Sequence, residues 1–349
     1  MPKIIVFGAG VIGLTTAVVL LKNGYEDVTV VGKYHPGDEL THEFTSPWAG
    51  ASIVSFAAQN TLLQEIDQIS FKEFARQANL VPEAGVMYCP GLHLSEIDDP
   101  AHEAWAKKLY LNTEKVAKEQ LPEGVRFGYR FLSFSLTAPR YLDWLVGQVK
   151  QLGGRLERGT FESIQDVAEK YQAETVINCT GLGSRVLADV RDETLHPVRG
   201  QTVLIRAPHI KTQMYREGPD VYTYIIPRPD GTAIVGGTLD YVTKEAEPDP
   251  AVTQSILARV YALNPELTHS QGPAAFDIVT ENVGFRPTRQ QSVRLEKESQ
   301  KRGKCFILPK GGRYTIVHNY GHGPHGYQSC WGSAAKVLEL LGGAQKAKL

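Results

Sequence analysis

The 349-residue sequence predicts an α/β fold in which a nucleotide-binding part built on buried strands is interleaved with an antiparallel-sheet part. Three observations predict it. A strand–turn–helix–strand unit with regularly spaced glycines opens the chain. A second buried strand, Thr175 to Asn178, runs into another small-residue turn. Alternating segments then follow at Thr202 to Ile205, Tyr222 to Ile226 and Ala233 to Val235, as half-buried strands require.

Lys3 to Phe7 is a β-branched run and reads as the first strand. The turn Gly8-Ala9-Gly10-Val11-Ile12-Gly13 follows it. Val11 to Asn23 is an apolar helix with Gly24 as its stop, and Val28 to Val31 is a second buried strand. This is the setting a dinucleotide fingerprint needs. Gly8 permits the tight turn, Gly10 lets backbone N–H groups approach a pyrophosphate, and Gly13 lets the helix pack on the strand. The helix N-terminus then offers its positive dipole end to phosphate. An Asp or Glu is expected about 20 residues further on, to bind ribose hydroxyls. The chain has Val31-Gly32-Lys33 there, which argues against a simple NAD site and makes Lys33 a candidate for phosphate or ribose.

Thr45-Ser46-Pro47-Trp48-Ala49-Gly50-Ala51 is a loop of small residues around one tryptophan, suited to a backbone lying close to a flat ring. Pro139 to Leu152 is an amphipathic helix with proline in its first turn. The strand Thr175 to Asn178 ends in Cys179-Thr180-Gly181-Leu182-Gly183-Ser184. Close to the C-terminus, His318-Asn319-Tyr320-Gly321-His322-Gly323-Pro324-His325-Gly326 precedes a helix read from Tyr327 to Leu341. Glycine-rich turns this far apart suggest one elongated cofactor held from both ends.

Composition narrows the class. With 42% hydrophobic and 21% charged residues the chain reads as a globular enzyme able to bury a large core. A formal net charge of -1 gives no electrostatic case for nucleic acid or an anionic membrane. No apolar run approaches the roughly 20 residues that span a bilayer. Cys89, Cys179, Cys305 and Cys330 show neither metal-ligand nor redox spacing, so free thiols in a reducing compartment are expected. His318, His322 and His325 lack a companion carboxylate or cysteine cluster, and no metal is expected.

Taken in order, these motifs resemble the FAD-dependent D-amino-acid oxidase family, fungal type, with the D-aspartate oxidases as close relatives. The resemblance rests on the N-terminal glycine turn, Ser46-Pro47-Trp48-Ala49-Gly50-Ala51, Asn178-Cys179-Thr180-Gly181, Pro197-Val198-Arg199-Gly200-Gln201, Tyr224-Ile225-Ile226-Pro227, Gly284-Phe285-Arg286-Pro287-Thr288-Arg289 and the C-terminal glycine loop. It runs from Lys3 to about Leu341. It implies a glutathione-reductase-like flavoprotein fold. A discontinuous FAD-binding domain would comprise residues 1–50, 150–195 and 295–349, and a substrate domain mainly 51–149 and 196–294.

The resemblance also implies roles. Gly8, Ala9, Gly10, Val11, Ile12, Gly13, Lys33, Ser46, Ala49, Gly50, Thr180 and Gly181 would hold FAD from one side, and Gly321, Gly323, Gly326, Tyr327 and Gln328 from the other. Arg286 would grip the substrate carboxylate as a bidentate, permanently charged partner, and the Tyr224 hydroxyl would donate to the same group. The carbonyl at Pro324 would accept from the substrate amine, although proline removes a backbone donor there. Tyr222 shares the parity of Tyr224, and Arg289 and Arg294 are competing cations with structural roles expected. The polar segment His209 to Asp220 would be a lid loop over the pocket.

The implied reaction converts a D-amino acid and oxygen to a 2-oxo acid, ammonia and hydrogen peroxide. Neutral side chains are favoured. D-aspartate or D-glutamate is the alternative, because Arg216 falls near a lid arginine of the D-aspartate oxidases; Leu239 stands where their vertebrate members carry an arginine. Glycine- or sarcosine-type amines, a nicotinamide-dependent dehydrogenase and a non-catalytic nucleotide-binding protein remain open. Ala347-Lys348-Leu349 resembles a peroxisomal address, so a peroxisomal location and its import receptor are expected, together with a homodimer.

Overall fold

The computed structural model describes residues 2–57, 59–219, 222–298 and 313–343. The chain opens with β1 (Ile4–Phe7), α1 (Val11–Lys22) and β2 (Val28–Gly32). It then leaves for β3 (Ser52–Ile53), α2 (Thr61–Leu80), β4 (Met87–Ser95), α3 (Pro100–Leu109), β5 (Leu111–Lys115) and β6 (Phe127–Ser135). It returns through α4 (Ala138–Gln151), β7 (Arg155–Arg158), α5 (Ile164–Tyr171) and β8 (Thr175–Asn178). A second excursion contains β9 (Leu195–Arg206), β10 (Gln213–Glu217), β11 (Tyr222–Pro227), β12 (Thr232–Gly236), α6 (Pro250–Leu263) and β13 (Ile278–Arg289). β14 (Arg294–Glu298), β15 (Thr315–Tyr320) and α7 (Gly326–Leu340) follow.

Two sheets result. The 6-stranded sheet has the order β14-β15-β8-β1-β2-β7, parallel throughout except for the antiparallel edge strand β14. Its central strand, Ile4-Ile5-Val6-Phe7, is buried along its whole length, as a strand covered on both faces must be. Phe7 pairs with Val31 on one side and with Asn178 on the other. That register brings the Gly8 turn and the Cys179 turn together at the C-terminal edge of the sheet, where α/β sheets bind ligands. α1 is apolar nearly all round because the sheet, α4 and α7 enclose it.

The 9-stranded sheet runs β13-β9-β12-β11-β10-β4-β6-β3, with β5 on β6. It is mixed, not purely antiparallel, because β10 pairs in parallel with β4. One face carries α6 over an apolar cluster that includes Val203, Ile225 and Val235. The other face turns toward the nucleotide half. α4 packs on α1 and β7, so this helix lies with the six-stranded half although the sequence places it in the inserted segment. α2 crosses α7 so closely that a Cβ at Gly332 would lie 2.0 Å from the Ile66 carbonyl oxygen. No helix among the described residues is long and apolar enough to cross a membrane. The tripeptide at 347–349 and Cys305 lie outside the described residues.

Candidate active site

A cavity of about 2070 Å³ lies between the two sheets. It exceeds the roughly 300–1,000 Å³ typical of small-ligand pockets, enough for an elongated dinucleotide with a small substrate beside it. Gly8 to Ile12, Lys33, residues 42–46, Trp48 to Ser52, Thr180 to Gly183, Tyr224, Arg286 and residues 319–328 all line it. The sequence-predicted residues therefore meet in one place, except Gly13, which acts behind the wall. A Cβ at Gly13 would lie 1.8 Å from the Gly8 carbonyl oxygen, so only glycine lets α1 start this close to β1. Gly8 itself has φ of 121° and sits against the Cys179 carbonyl oxygen.

Ser46 stands at the head of α1, where its Oγ accepts the Val11 N–H at 3.0 Å. The following Trp48 stacks on His42 with ring centroids 5.2 Å apart and donates its Nε1–H to the Thr41 carbonyl. The Ala49 carbonyl accepts from the buried Arg228 guanidinium at 2.8 Å. The loop is thus anchored from three sides. Thr180 is fixed by its own strand, since its N–H and Oγ1 both donate to Asn178 Oδ1. Lys33 is half-exposed and ion-paired to Glu43 at 2.6 Å. Glu43 also lines the cavity, and sequence reading missed it because this carboxylate arrives from a loop beyond the position where the end of β2 should carry an acid.

Beside β8, β15 delivers Gly321 and Gly323, both left-handed with φ of 86° and 57°. Residues Gly323–His325 make a single tight turn with Pro324 at its centre, and α7 then begins at Gly326, with its N-terminus at the cavity. Tyr327 ties this helix to the first loop by donating its hydroxyl to the Ser46 carbonyl at 2.9 Å. Gln328 lies against His325, Nε2 to Nδ1 3.4 Å. Burial pushes the His322 and His325 imidazoles down to about 3 and about 4, and for His325 the Arg286 charge adds to the effect. Both are neutral at physiological pH. No group of metal-ligating side chains forms among the described residues.

The remaining wall comes from the nine-stranded sheet. Arg286 on β13 lies across β9, its Nη1 donating to the Thr238 carbonyl at 3.0 Å. A Cβ at Gly200 would come within 2.2 Å of that Nη1, which explains a glycine opposite the arginine. Arg286 makes no ion pair among the described residues. Tyr224 on β11 packs over Gly236 and Gly237, where a Cβ would meet its ring or hydroxyl at 2.4–2.9 Å. Tyr222 shares this face, with ring centroids 5.8 Å from Tyr224, and its buried hydroxyl has no hydrogen-bond partner among the described residues. Arg289 instead pairs with Asp192 at 2.8 Å, and Arg294 with Glu296 and Glu298.

The segment read as a lid loop is corrected by β10. Residues 213–217 are a strand hydrogen-bonded between β11 and β4. Its polar composition suggests a loop, but the polar groups are paired inside. Gln213 Nε2 donates to the Cys89 carbonyl at 3.0 Å, and the Tyr215 hydroxyl to Gln213 Oε1 at 2.8 Å. Tyr215 and Glu217 face the cavity, whereas Arg216 points to the opposite face and pairs with Glu96 at 2.7 Å. Sequence reading missed Phe56, Tyr215 and Glu217. Nothing local marks them; strand register brings Tyr215 and Glu217 to the wall, and ring contacts with Tyr222 and His325 place Phe56 in the loop after β3.

The sequence matches the FAD dependent oxidoreductase family over residues 3–340. The chain belongs to this family. It is 36% identical to the D-amino-acid oxidase of Schizosaccharomyces pombe over 341 residues, covering 97% of this chain and 95% of that protein. It is 30% identical to the D-aspartate oxidase of Talaromyces thermophilus, covering 99% of this chain and 97% of that one. The glycine oxidase of Geobacillus kaustophilus shares the fold, with a TM-score of 0.75 at 18% identity over 99% of this chain and 96% of that one.

FAD fits this oxidoreductase. The cavity is large enough, and main chain forms its wall at Gly8, where a Cβ would collide with the Cys179 backbone. α1 and α7 both start on it, close together, since a Cβ at Gly326 would lie 3.8 Å from Val11 Cγ1, so two positive helix ends face the cavity. The three described cysteines, Cys89, Cys179 and Cys330, are buried thiols, and burial pushes each up to about 12.

Proposed function

We propose that this FAD-dependent oxidoreductase deaminates D-amino acids oxidatively, favouring neutral over acidic side chains. The observation that carries the reading is the Arg286 guanidinium, which lines the cavity near the Tyr224 wall and has no carboxylate partner among the described residues. A partly buried cation in that position suits a planar carboxylate that can accept two parallel N–H bonds. Tyr224 adds a hydroxyl donor. The Pro324 carbonyl serves as acceptor for the α-amino group, which orients the α-carbon with three fixed points. When bound, FAD supplies the acceptor for the α-hydrogen and its electron pair, and oxygen takes the electrons on as hydrogen peroxide.

The protein's part is orientation and the exclusion of water, which bring the reacting atoms to about 3–3.5 Å. No side-chain base is required, and the neutral His322 and His325 leave the amine unprotonated by its neighbours. The imino acid formed is hydrolysed by water to a 2-oxo acid and ammonia. With the carboxylate and amine held, the L-enantiomer would aim its α-hydrogen away from the acceptor. The placement of Arg216 supports neutral over acidic substrates: it lies outside the cavity wall and is already paired with Glu96.

Anaerobic titration of the yellow holoenzyme tests the proposal. D-alanine should bleach the visible flavin band at low concentration, D-aspartate only weakly, and L-alanine not at all. Bleaching by L-alanine, or by none of the three, would refute it. Bleaching mainly by D-aspartate would move the enzyme to the acidic branch.

A further inference from the structure

The cavity wall of β10 contains an anion. Glu217 faces the cavity, and its side chain is 34% exposed. Across the sheet it pairs with Tyr222, while Tyr215 pairs with Tyr224. Glu217 is therefore the diagonal neighbour of Tyr224 on the same face, about 7–8 Å away in such ladders. The order β13, β9, β12, β11, β10 then sets a cation, Arg286, and an anion, Glu217, on opposite sides of the tyrosine pair. Between them, the Phe56 ring lies 5.7 Å from Tyr222 and 5.1 Å from His325, forming an aromatic sleeve.

Behind Glu217 lies a buried imidazole, His93, with Nε2 3.5 Å from the carboxylate. That distance is at the limit for a hydrogen bond, and among the described residues neither His93 nitrogen has another hydrogen-bond partner. His93 stacks on His102, whose own Nε2 lies 2.9 Å from the Tyr129 hydroxyl. Among the described residues no other side chain pairs with the carboxylate. The His93 imidazole, outweighing burial, keeps its carboxyl below the usual range, so it is ionised at neutral pH.

We propose that Glu217 determines side-chain specificity, favouring D-amino acids whose side chain ends in an ammonium or guanidinium group and disfavouring those ending in a carboxylate. This rests on the D-amino-acid oxidase reading above. A substrate with its α-carboxylate on Arg286 and Tyr224 extends its side chain over Tyr222 and Phe56 toward β10. Methylene stems pack on the aromatic sleeve, and the cationic head reaches Glu217. Neutral side chains enter without gain or penalty, whereas a second carboxylate meets repulsion.

The test compares kcat/KM for D-arginine and its neutral isostere D-citrulline, with D-alanine and D-aspartate, in the wild-type holoenzyme, Glu217→Gln and Arg216→Gln. The wild type should prefer D-arginine to D-citrulline about tenfold or more, the size of one partly solvated charge-assisted hydrogen bond. Glu217→Gln should remove that preference and raise D-aspartate relative to D-alanine; Arg216→Gln should leave the D-arginine to D-citrulline ratio unchanged. Equal wild-type rates for D-arginine and D-citrulline overturn the proposal without any variant. So does an equal loss on all substrates in Glu217→Gln, which would mark a structural role. Absence of turnover with every D-amino acid would overturn the substrate reading itself, and this proposal with it.

Discussion

On the six-stranded side of the cavity the wall is main chain: the Gly8 turn, the Thr180–Gly181 turn and the Gly321–Gly323 loop, each at the end of a buried parallel strand. On the nine-stranded side it is side chains, from Arg286, Tyr224, Tyr222 and Glu217, carried on separate strands. The first side is built from short local motifs, because a pyrophosphate and a flat ring are recognised by N–H groups and helix ends, and those need glycine. The second is built from long-range register, because a substrate of few atoms is recognised by a few charges at set distances. The two sides should therefore fail differently when mutated: the first by losing cofactor and fold together, the second by losing substrate alone.

Gly13→Ala should have the largest effect. Its new Cβ would lie 1.8 Å from the Gly8 carbonyl oxygen, and backbone cannot yield as a side-chain tip can. The strain should cost about 3 kcal/mol or more, with α1 displaced from the position that faces the phosphates. The purified variant should be colourless, with a lowered melting temperature that added FAD does not restore. A yellow protein of wild-type stability would show that α1 is not as tightly seated on β1 as the geometry indicates.

Arg286→Ala comes next and should leave the protein yellow. Truncating a partly buried charged partner costs about 2–5 kcal/mol, which corresponds to roughly 30- to several-thousand-fold in kcat/KM for D-alanine. Tyr224→Phe removes one hydrogen bond to the same carboxylate, about 1.5–3 kcal/mol, or roughly 10- to 150-fold. Flavin absorbance separates this pair from the glycine variant. Colourless Arg286→Ala protein would erase the contrast between the two sides.

The same contrast explains what could be read in the sequence. The glycine turns, the buried strand at Thr175–Asn178 and the starts of α1 and α7 were legible because each is set by neighbours within a few residues. Arg286 and Tyr224 were identifiable only through resemblance to a family, since an arginine before a proline and a tyrosine in a strand carry no chemistry by themselves. Glu217 and Phe56 were invisible. The place of Glu217 depends on β10 being a strand, and the polar run around Gln213 and Arg216 reads as a loop until Cys89 and Ser52 supply buried partners from other strands, while Phe56 is placed by long-range ring contacts from a loop. The arginine that looked like a selector, Arg216, is one residue out of phase with the cavity, and its neighbour holds the position. A period-2 element turns a shift of one residue into a change of face.

Asp67 joins the two sides, and its variant should have the smallest effect on catalysis. It lies on α2, accepts from Ser329 of α7 at 3.0 Å and from Ser55, and is almost fully buried. Burial outweighs those hydrogen bonds and pushes the carboxyl up to about 6, against 3.8 for an unburied aspartate. Between these values the folded protein binds the proton more tightly than the unfolded chain does. Stability from this group therefore falls as pH rises from about 4 to about 6, and levels off above that. At 1.36 kcal/mol per pH unit the full loss is at most about 3 kcal/mol. Asp67→Asn keeps the shape without the charge, so it should gain on the wild type over this window. Melting temperatures of both proteins from pH 4 to pH 7, at one fixed FAD concentration, read the difference directly. Curves that stay parallel would mean that Ser55 and Ser329 already stabilise the ionised form fully. Turnover of D-alanine should stay within about twofold, because Asp67 reaches the C-terminal helix behind the cavity wall and is not part of the wall itself.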